Sequence, residues 1–196
     1  MDQLLIATQN QGKFREIQAL LANLEIELLT PADLGLDFDV KETGTTYAQN
    51  AALKAQAYAQ ASGLWALADD SGLEVDALDG EPGLYSARYA PQPDATDADR
   101  RAYLLQQLAP HPRPWTGRFR CVVALTHSGA DPHFETGICP GEITPEERGD
   151  QGFGYDPIFL VEGMDHTMAE LSMGEKNQVS HRARAIKAII PKLTSL

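Results

Sequence analysis

Two adjacent carboxylates, Asp69 and Asp70, follow the apolar run Leu64 to Ala68 and precede Ser71 and Gly72. Hard divalent cations take oxygen ligands, and Mg²⁺ is commonly held by one or two carboxylates together with substrate phosphates. A carboxylate beside such an ion can also take a proton from an attacking water. The competing account of ADDSG is a turn, since Asp, Ser and Gly are the usual turn formers. A second segment, Thr8, Gln9, Asn10, Gln11, Gly12 and Lys13, joins a short apolar run to the start of a helical pattern. Unpaired backbone N–H groups, the helix dipole and the Lys13 ammonium together suit a phosphate. Taken alone, that segment reads more simply as an ordinary Asn10 cap with a solvated lysine. It also lacks the GxxxxGK[ST] spacing of a Walker loop.

Three further groups carry donors, acceptors or flat surfaces. Tyr47, Asn50 and Lys54 are spaced three and four residues apart, so on a helix they share one face, whether toward a cleft or as a solvated stripe opposite the core. Glu42, just before that helix, is either a ligand or a carboxylate that favours the helix dipole. In GFGYDPIF, residues 152–159, glycines leave room for a flat ligand, Phe153 can stack on a base and Asp156 can accept from ring N–H groups. A hairpin with aromatic core residues has the same pattern. In EKNQVSHRARA, Lys176, His181 and Arg182 gather donors around the start of the last helix, with Ser180 as its cap. Cations at a helix N-terminus oppose the dipole and call for an anionic or oxo-rich ligand.

The elements that must position these groups follow from periodicity. Leu4 to Ala7 is a strand, and Phe14, Ile17, Leu20, Leu21 and Leu24 have helical spacing over residues 11–24. Residues 25–29 read as a strand, 31–40 as an irregular acidic link, and 45–61 as an Ala-rich helix. Residues 64–68 then form a short strand that stops at the acids, with 73–78 extended or turning. Gly and Pro between 79 and 97 predict a long surface loop carrying GLYSARYA, followed by a helix from about 98 to 108. Pro110, Pro112 and Pro114 predict irregular chain up to Phe119. Residues 119–126 and 134–143 read as neighbouring antiparallel strands across HSGADP, and 157–161 as another strand. The final helix begins near His181 with a stripe of Ile186, Ile189, Ile190 and Leu193, and Pro191 is expected to bend or end it. The order is that of an α/β protein.

With 196 residues and 43% hydrophobic content, the chain is long enough for one domain over 1–196 that buries roughly two-thirds of its unfolded surface. The 28 acidic against 16 basic residues, a net charge of -12, repel a polyanion, so a nucleic acid polymer is not expected as partner. A small anion can still bind where lysines and a divalent metal reverse the field locally. The cysteines, Cys121 and Cys139, form no zinc framework, which fits a reducing cytoplasm. The short N-terminal apolar run is neither a signal peptide nor a membrane span.

Taken together, TQNQGK, KETGTTYAQNA, ADDSGL, GLYSARY, GFGYDPIF and EKNQVSHR resemble, in order and across nearly the whole chain, the inosine/xanthosine triphosphate pyrophosphatase family. The resemblance implies an elongated mixed β-sheet flanked by helices, two lobes with a substrate cleft between them, and a homodimer. It implies Mg²⁺-dependent attack of water on the α-phosphate of a non-standard purine nucleoside triphosphate. Carried over by position, Thr8 to Lys13, Lys54 and Ser71 lie at the triphosphate, and Asp70 is the base and a metal ligand. Lys41 stands where some relatives carry an acid, so the second ligand is Glu42 or Asp69. Phe153, Gly154, Tyr155 and Asp156, with Lys176, His181 and Arg182, hold the purine.

Overall fold

The computed structural model describes residues 1–196. Its strands are β1 (Gln3–Ile6), β2 (Glu27–Leu29), β3 (Trp65–Val75), β4 (Trp115–Thr126), β5 (His133–Ile143) and β6 (Phe159–Val161). Its helices are α1 (Gln11–Leu21), α2 (Tyr47–Ser62), α3 (Asp97–Leu108), α4 (Met173–Val179) and α5 (His181–Thr194). The strands form one mixed sheet in the order β2-β1-β3-β4-β5-β6. No helix is long and apolar enough to cross a membrane. The chain divides into two compact units: Met1–Asp70 with Cys121–Gly137 and Arg182–Leu196, and Ser71–Arg120 with Ile138–His181.

In the first unit β1 pairs in parallel with β2 (Gln3 opposite Glu27) and with β3 (Leu4 opposite Trp65). Strand alternation divides the core. Leu4, Ile6 and Leu67 pack with Ile17 and Leu21 of α1 and Ile186, Ile189 and Leu193 of α5. Leu5, Ala7, Ala66 and Ala68 pack with Ala51, Ala55, Tyr58 and Ala59 of α2. Both faces of the parallel strands are therefore covered, which is why β1 reads as an unbroken apolar run. In the second unit, β5 and β6 are antiparallel, with Glu142 opposite Leu160. Leu104 and Leu108 of α3 share a core there with Val75, Trp115, Phe119, Ile143 and Phe159.

Several elements depart from the sequence expectation. β3 does not stop before the acids but runs through Asp69, Asp70 and Ser71 to Val75, because partners on both faces satisfy the two carboxylates. β4 begins at Trp115 rather than Phe119: Trp115, Gly117 and Phe119 point inward, while Arg118 and Arg120 pair with Glu74. GLYSAR is a 3₁₀ turn rather than open loop, with Ser86 buried; its hydroxyl accepts from Leu73 N (2.9 Å) and donates to Gly83 O (2.6 Å). A separate short helix, α4, precedes the last one and contains Lys176. Pro191 lies inside α5, which continues to Thr194, with Leu193 buried two residues beyond it.

Candidate active site

Leaving β1, the chain crosses through α1 to β2 on one side and returns through α2 to β3 on the other. The carboxyl ends of β1 and β3 are thus a topological switch point, where ligands of open α/β sheets characteristically bind. Asn10 ends the turn after β1 and caps α1, its Oδ1 accepting from Gly12 N (2.8 Å) and Lys13 N (3.1 Å). Its own N–H donates to Thr8 Oγ1 at 3.2 Å. The cap expected of Asn10 is therefore present. Lys13 is not a solvated lysine: its ammonium lies 3.0 Å from Asp69 Oδ2.

Alternation along β3 places Asp69 with Leu67 on the α1/α5 face and Asp70 with Ala68 on the α2 face. On the first face Arg182, fully enclosed at 1% exposure, donates from Nε (3.2 Å) and Nη2 (3.1 Å) to Asp69 Oδ2. Its Nη1 pairs with buried Glu16. Burial alone would raise the Asp69 pKa, but Lys13 and Arg182, with Lys54 further off, outweigh it and hold the carboxyl well below the usual range. Burial would likewise lower Arg182, and Asp69 and Glu16 instead keep it firmly protonated.

On the opposite face Asn50 Nδ2 donates to Asp70 Oδ2 at 3.1 Å. Lys54 Nζ lies 2.6 Å from Glu42 Oε1 and 3.8 Å from Asp70 Oδ1. Burial pushes the Asp70 carboxyl up, Lys54 opposes the shift and the nearby Glu42 adds to it. The Lys54 ammonium would be lowered by burial, but Asp69, Asp70 and Glu42 raise it. The segment bearing Glu42 is locked onto α2: Gly44 N donates to Asn50 Oδ1 at 2.8 Å, and Thr46 caps the helix at Gln49 N. A Cβ at Gly44 would stand 2.6 Å from Gln49 Cβ and 2.7 Å from Asn50 Oδ1, so the close approach requires glycine. Tyr47 and Asn50 are buried, so this helix face is not the solvated stripe that spacing alone allows.

The donor set on the α2 face fits a divalent cation. Asp70 and Glu42 share one ammonium, a cation already standing between two hard oxygen donors. No group of three or more His, Cys, Asp and Glu side chains forms a complete cage among the described residues. One or two carboxylates completed by substrate phosphates is the usual Mg²⁺ arrangement.

The second unit holds a different polar cluster. Asp156, buried at 4% exposure, accepts from Lys176 Nζ (2.7 Å) and Phe153 N (3.0 Å). The Lys176 ammonium also lies 5.2 Å from the Phe153 ring centroid. Gly152 has φ of 77°, and a Cβ there would fall 2.1 Å from Asp156 Oδ2, so the turn admits glycine alone. Gly154 N donates to Asp97 Oδ2 and Arg101 Nη1 donates to Gly154 O, both at 2.8 Å, fixing the loop to α3. Tyr155 is a core residue whose hydroxyl donates to Ser86 O at 2.9 Å. The His181 ring stacks on Phe119 with centroids 4.8 Å apart.

The structure thus gathers Lys13, Lys54, Glu42, Asp69 and Asp70 in the first unit, and Phe153, Asp156 and Lys176 in the second. Arg182, expected beside Lys176 and His181, is engaged instead by Asp69 and Glu16. Gln9 is exposed and donates to Phe38 O at 3.2 Å, Gln11 is exposed, and Ser71 is partly exposed. Sequence reasoning missed Glu16, Gly44, Asp97, Arg101 and Phe119. Glu16 alone had a signal: it follows Lys13 by three residues and so shares its helix face.

These features define an α/β protein with an acid and lysine cluster at the switch point of its parallel strands. The chain belongs to the Ham1 family, which it matches over residues 4–192. It is 48% identical over 195 residues to a dITP/XTP pyrophosphatase of Nostoc sp., covering 98% of this chain and 95% of that protein. The corresponding figures for a dITP/XTP pyrophosphatase of Bacillus subtilis are 41% over 189 residues and 96% of each chain. The solved structure of a HAM1 protein from Coxiella burnetii superposes with a TM-score of 0.90 at 42% identity, covering 100% of both chains.

Proposed function

We propose that this protein hydrolyses non-standard purine nucleoside triphosphates, ITP, dITP and XTP, to the monophosphate and pyrophosphate, clearing them from the nucleotide pool. The observation that carries this reading is Asp70: a carboxyl pushed above its usual range beside Glu42, Lys54 and Asn50 at the switch point. The names of the curated relatives support the substrate class. In this reading Asp70 accepts a proton from the water that attacks the α-phosphorus. Lys13 and Lys54 balance charge on the phosphate oxygens, the largest contribution in phosphoryl chemistry of this kind. The turn from Thr8 through Gln9, Gln11 and Gly12 flanks the phosphates, with Ser71 close by.

Mg²⁺ belongs to the same reading, held by Asp70 and Glu42 with phosphate oxygens; when bound, it neutralises phosphate charge and acidifies water. Asp69 has other employment, since its Oδ2 already receives Lys13 and Arg182. Phe153, Gly154, Asp156, Lys176 and His181 take the purine, while Tyr155 and Arg182 act by holding their neighbours in place. Donors aimed at a 6-oxo group are left unpaired by the 6-amino group of adenine, a mismatch of about 1–3 kcal/mol. The cytoplasmic setting is supported by two free, buried cysteines, and the homodimer, which rests on the family likeness, is checked by sedimentation.

The test is incubation with ITP, XTP, GTP and ATP in Mg²⁺ or EDTA, with phosphate products separated chromatographically. Pyrophosphate from ITP or XTP, little from GTP or ATP and none in EDTA is expected. Orthophosphate release, or binding without cleavage, would overturn the reading.

A further inference from the structure

The two carboxylate sites on β3 differ in what remains when a lysine leaves. Asp69 Oδ2 keeps both Arg182 contacts, at 3.2 and 3.1 Å, if Lys13 turns to a phosphate. Lys54, by contrast, serves Glu42 at 2.6 Å and Asp70 at 3.8 Å together, so its departure removes a positive charge from both acids at once. Its side chain is only 15% exposed and Asp70's 11%, a setting where charge is weakly screened. A lysine is a compact charge on a flexible four-carbon stem, able to exchange one anionic partner for another without rebuilding the helix that bears it.

We propose that Lys54 is an internal counter-ion that competes with the divalent cation for Glu42 and Asp70 and thereby couples cation and triphosphate binding. The inference rests on the assignment of those two acids to the metal in the proposed function. A triphosphate draws the ammonium away, and the acids gain negative charge that attracts a divalent cation. A cation on the acids repels the ammonium toward phosphate oxygens. Because such coupling is reciprocal, each ligand tightens the other by the same factor. The free protein consequently holds divalent ions weakly, and cation and nucleotide arrive together.

The experiment uses the full chain and Mn²⁺, titrated without nucleotide by the paramagnetic resonance signal of the free ion. Lys54→Met keeps most of the stem and removes the charge, and is expected to bind Mn²⁺ about tenfold or more tightly than the wild type. The gain is expected to vanish when Glu42→Gln is added. Equal affinity in wild type and Lys54→Met, or a gain that survives Glu42→Gln, overturns the proposal. Lys54→Gln gives the same comparison if the methionine variant folds poorly. The readout is independent of turnover: failure of the wild type to release pyrophosphate from ITP overturns the proposed function and leaves the Mn²⁺ comparison standing. Normal turnover with no Lys54 effect on Mn²⁺ overturns only the counter-ion role.

Discussion

Asp69 and Asp70 are neighbours on one strand, yet the two faces of β3 treat them oppositely. Asp69 is enclosed by Lys13 and Arg182, and its carboxyl is held far below the usual range. Asp70 meets Asn50, a shared lysine and the like charge of Glu42, and burial pushes it up. A carboxylate with a lowered pKa stabilises the fold by being ionised and makes a poor base. One with a raised pKa is ionised at a cost to the fold and is the better proton acceptor. On the proposed function the pair separates holding the architecture together from doing chemistry, within two consecutive residues.

The largest expected effect falls on the Asp70 face. Asp70→Asn should lower kcat for ITP by roughly 10²–10⁴-fold, the usual contribution of a general base, with nucleotide affinity changed far less. Equal losses of kcat and affinity would mean that Asp70 only binds. On the Asp69 face, Arg182→Met removes one partner of a buried ion cluster and leaves Asp69 and Glu16 facing an apolar side chain. It should destabilise the protein by about 3–5 kcal/mol in urea titration; an unchanged midpoint would show that the cluster is not structural.

The Phe153, Asp156 and Lys176 cluster of the second unit sharpens the contrast through the selectivity proposed for it. Lys176→Ala should cut the preference for ITP over ATP by about 1–3 kcal/mol in kcat/KM, and equal losses for both substrates would remove it from base recognition. The smallest effect concerns Asp97, which accepts from Gly154 N. Burial would raise its pKa, but the Gly154 N–H and Arg100 lower it below the ordinary 3.8. A lowered pKa means its stabilisation is complete above that value and fades as pH falls through the folded-state value. Asp97→Asn should therefore flatten the acid limb of a stability profile there, and parallel profiles would contradict the assignment.

Much of this was legible before the structure. The apolar spacing of Phe14, Ile17 and Leu21, and of Ile186, Ile189 and Leu193, gave α1 and α5 to within a few residues of their observed bounds. The passage of β3 through its acids was not legible, because the groups that satisfy them are distant in sequence: Arg182 lies 113 residues from Asp69, and Asn50 20 from Asp70. The contacts of Arg182 were hidden for the same reason, since its acidic partners lie on β3 and α1, far from it in sequence. α4 was missed because its buried residue is a lysine, so it shows no apolar stripe. The chemistry-bearing residue types were visible; the side of the sheet each serves was not, until strand alternation assigned it.

The most direct test compares Asp69→Asn and Asp70→Asn at neutral pH, measuring thermal midpoint and ITP turnover on both. Asp69→Asn should lower the midpoint, because it removes the charge that Lys13 and Arg182 surround. Asp70→Asn should leave the midpoint unchanged or raise it while turnover collapses, because it relieves a carboxylate that the fold disfavours in its ionised form. A lower midpoint for Asp70→Asn with turnover retained, or a higher midpoint for Asp69→Asn, would contradict the division of labour between the two faces.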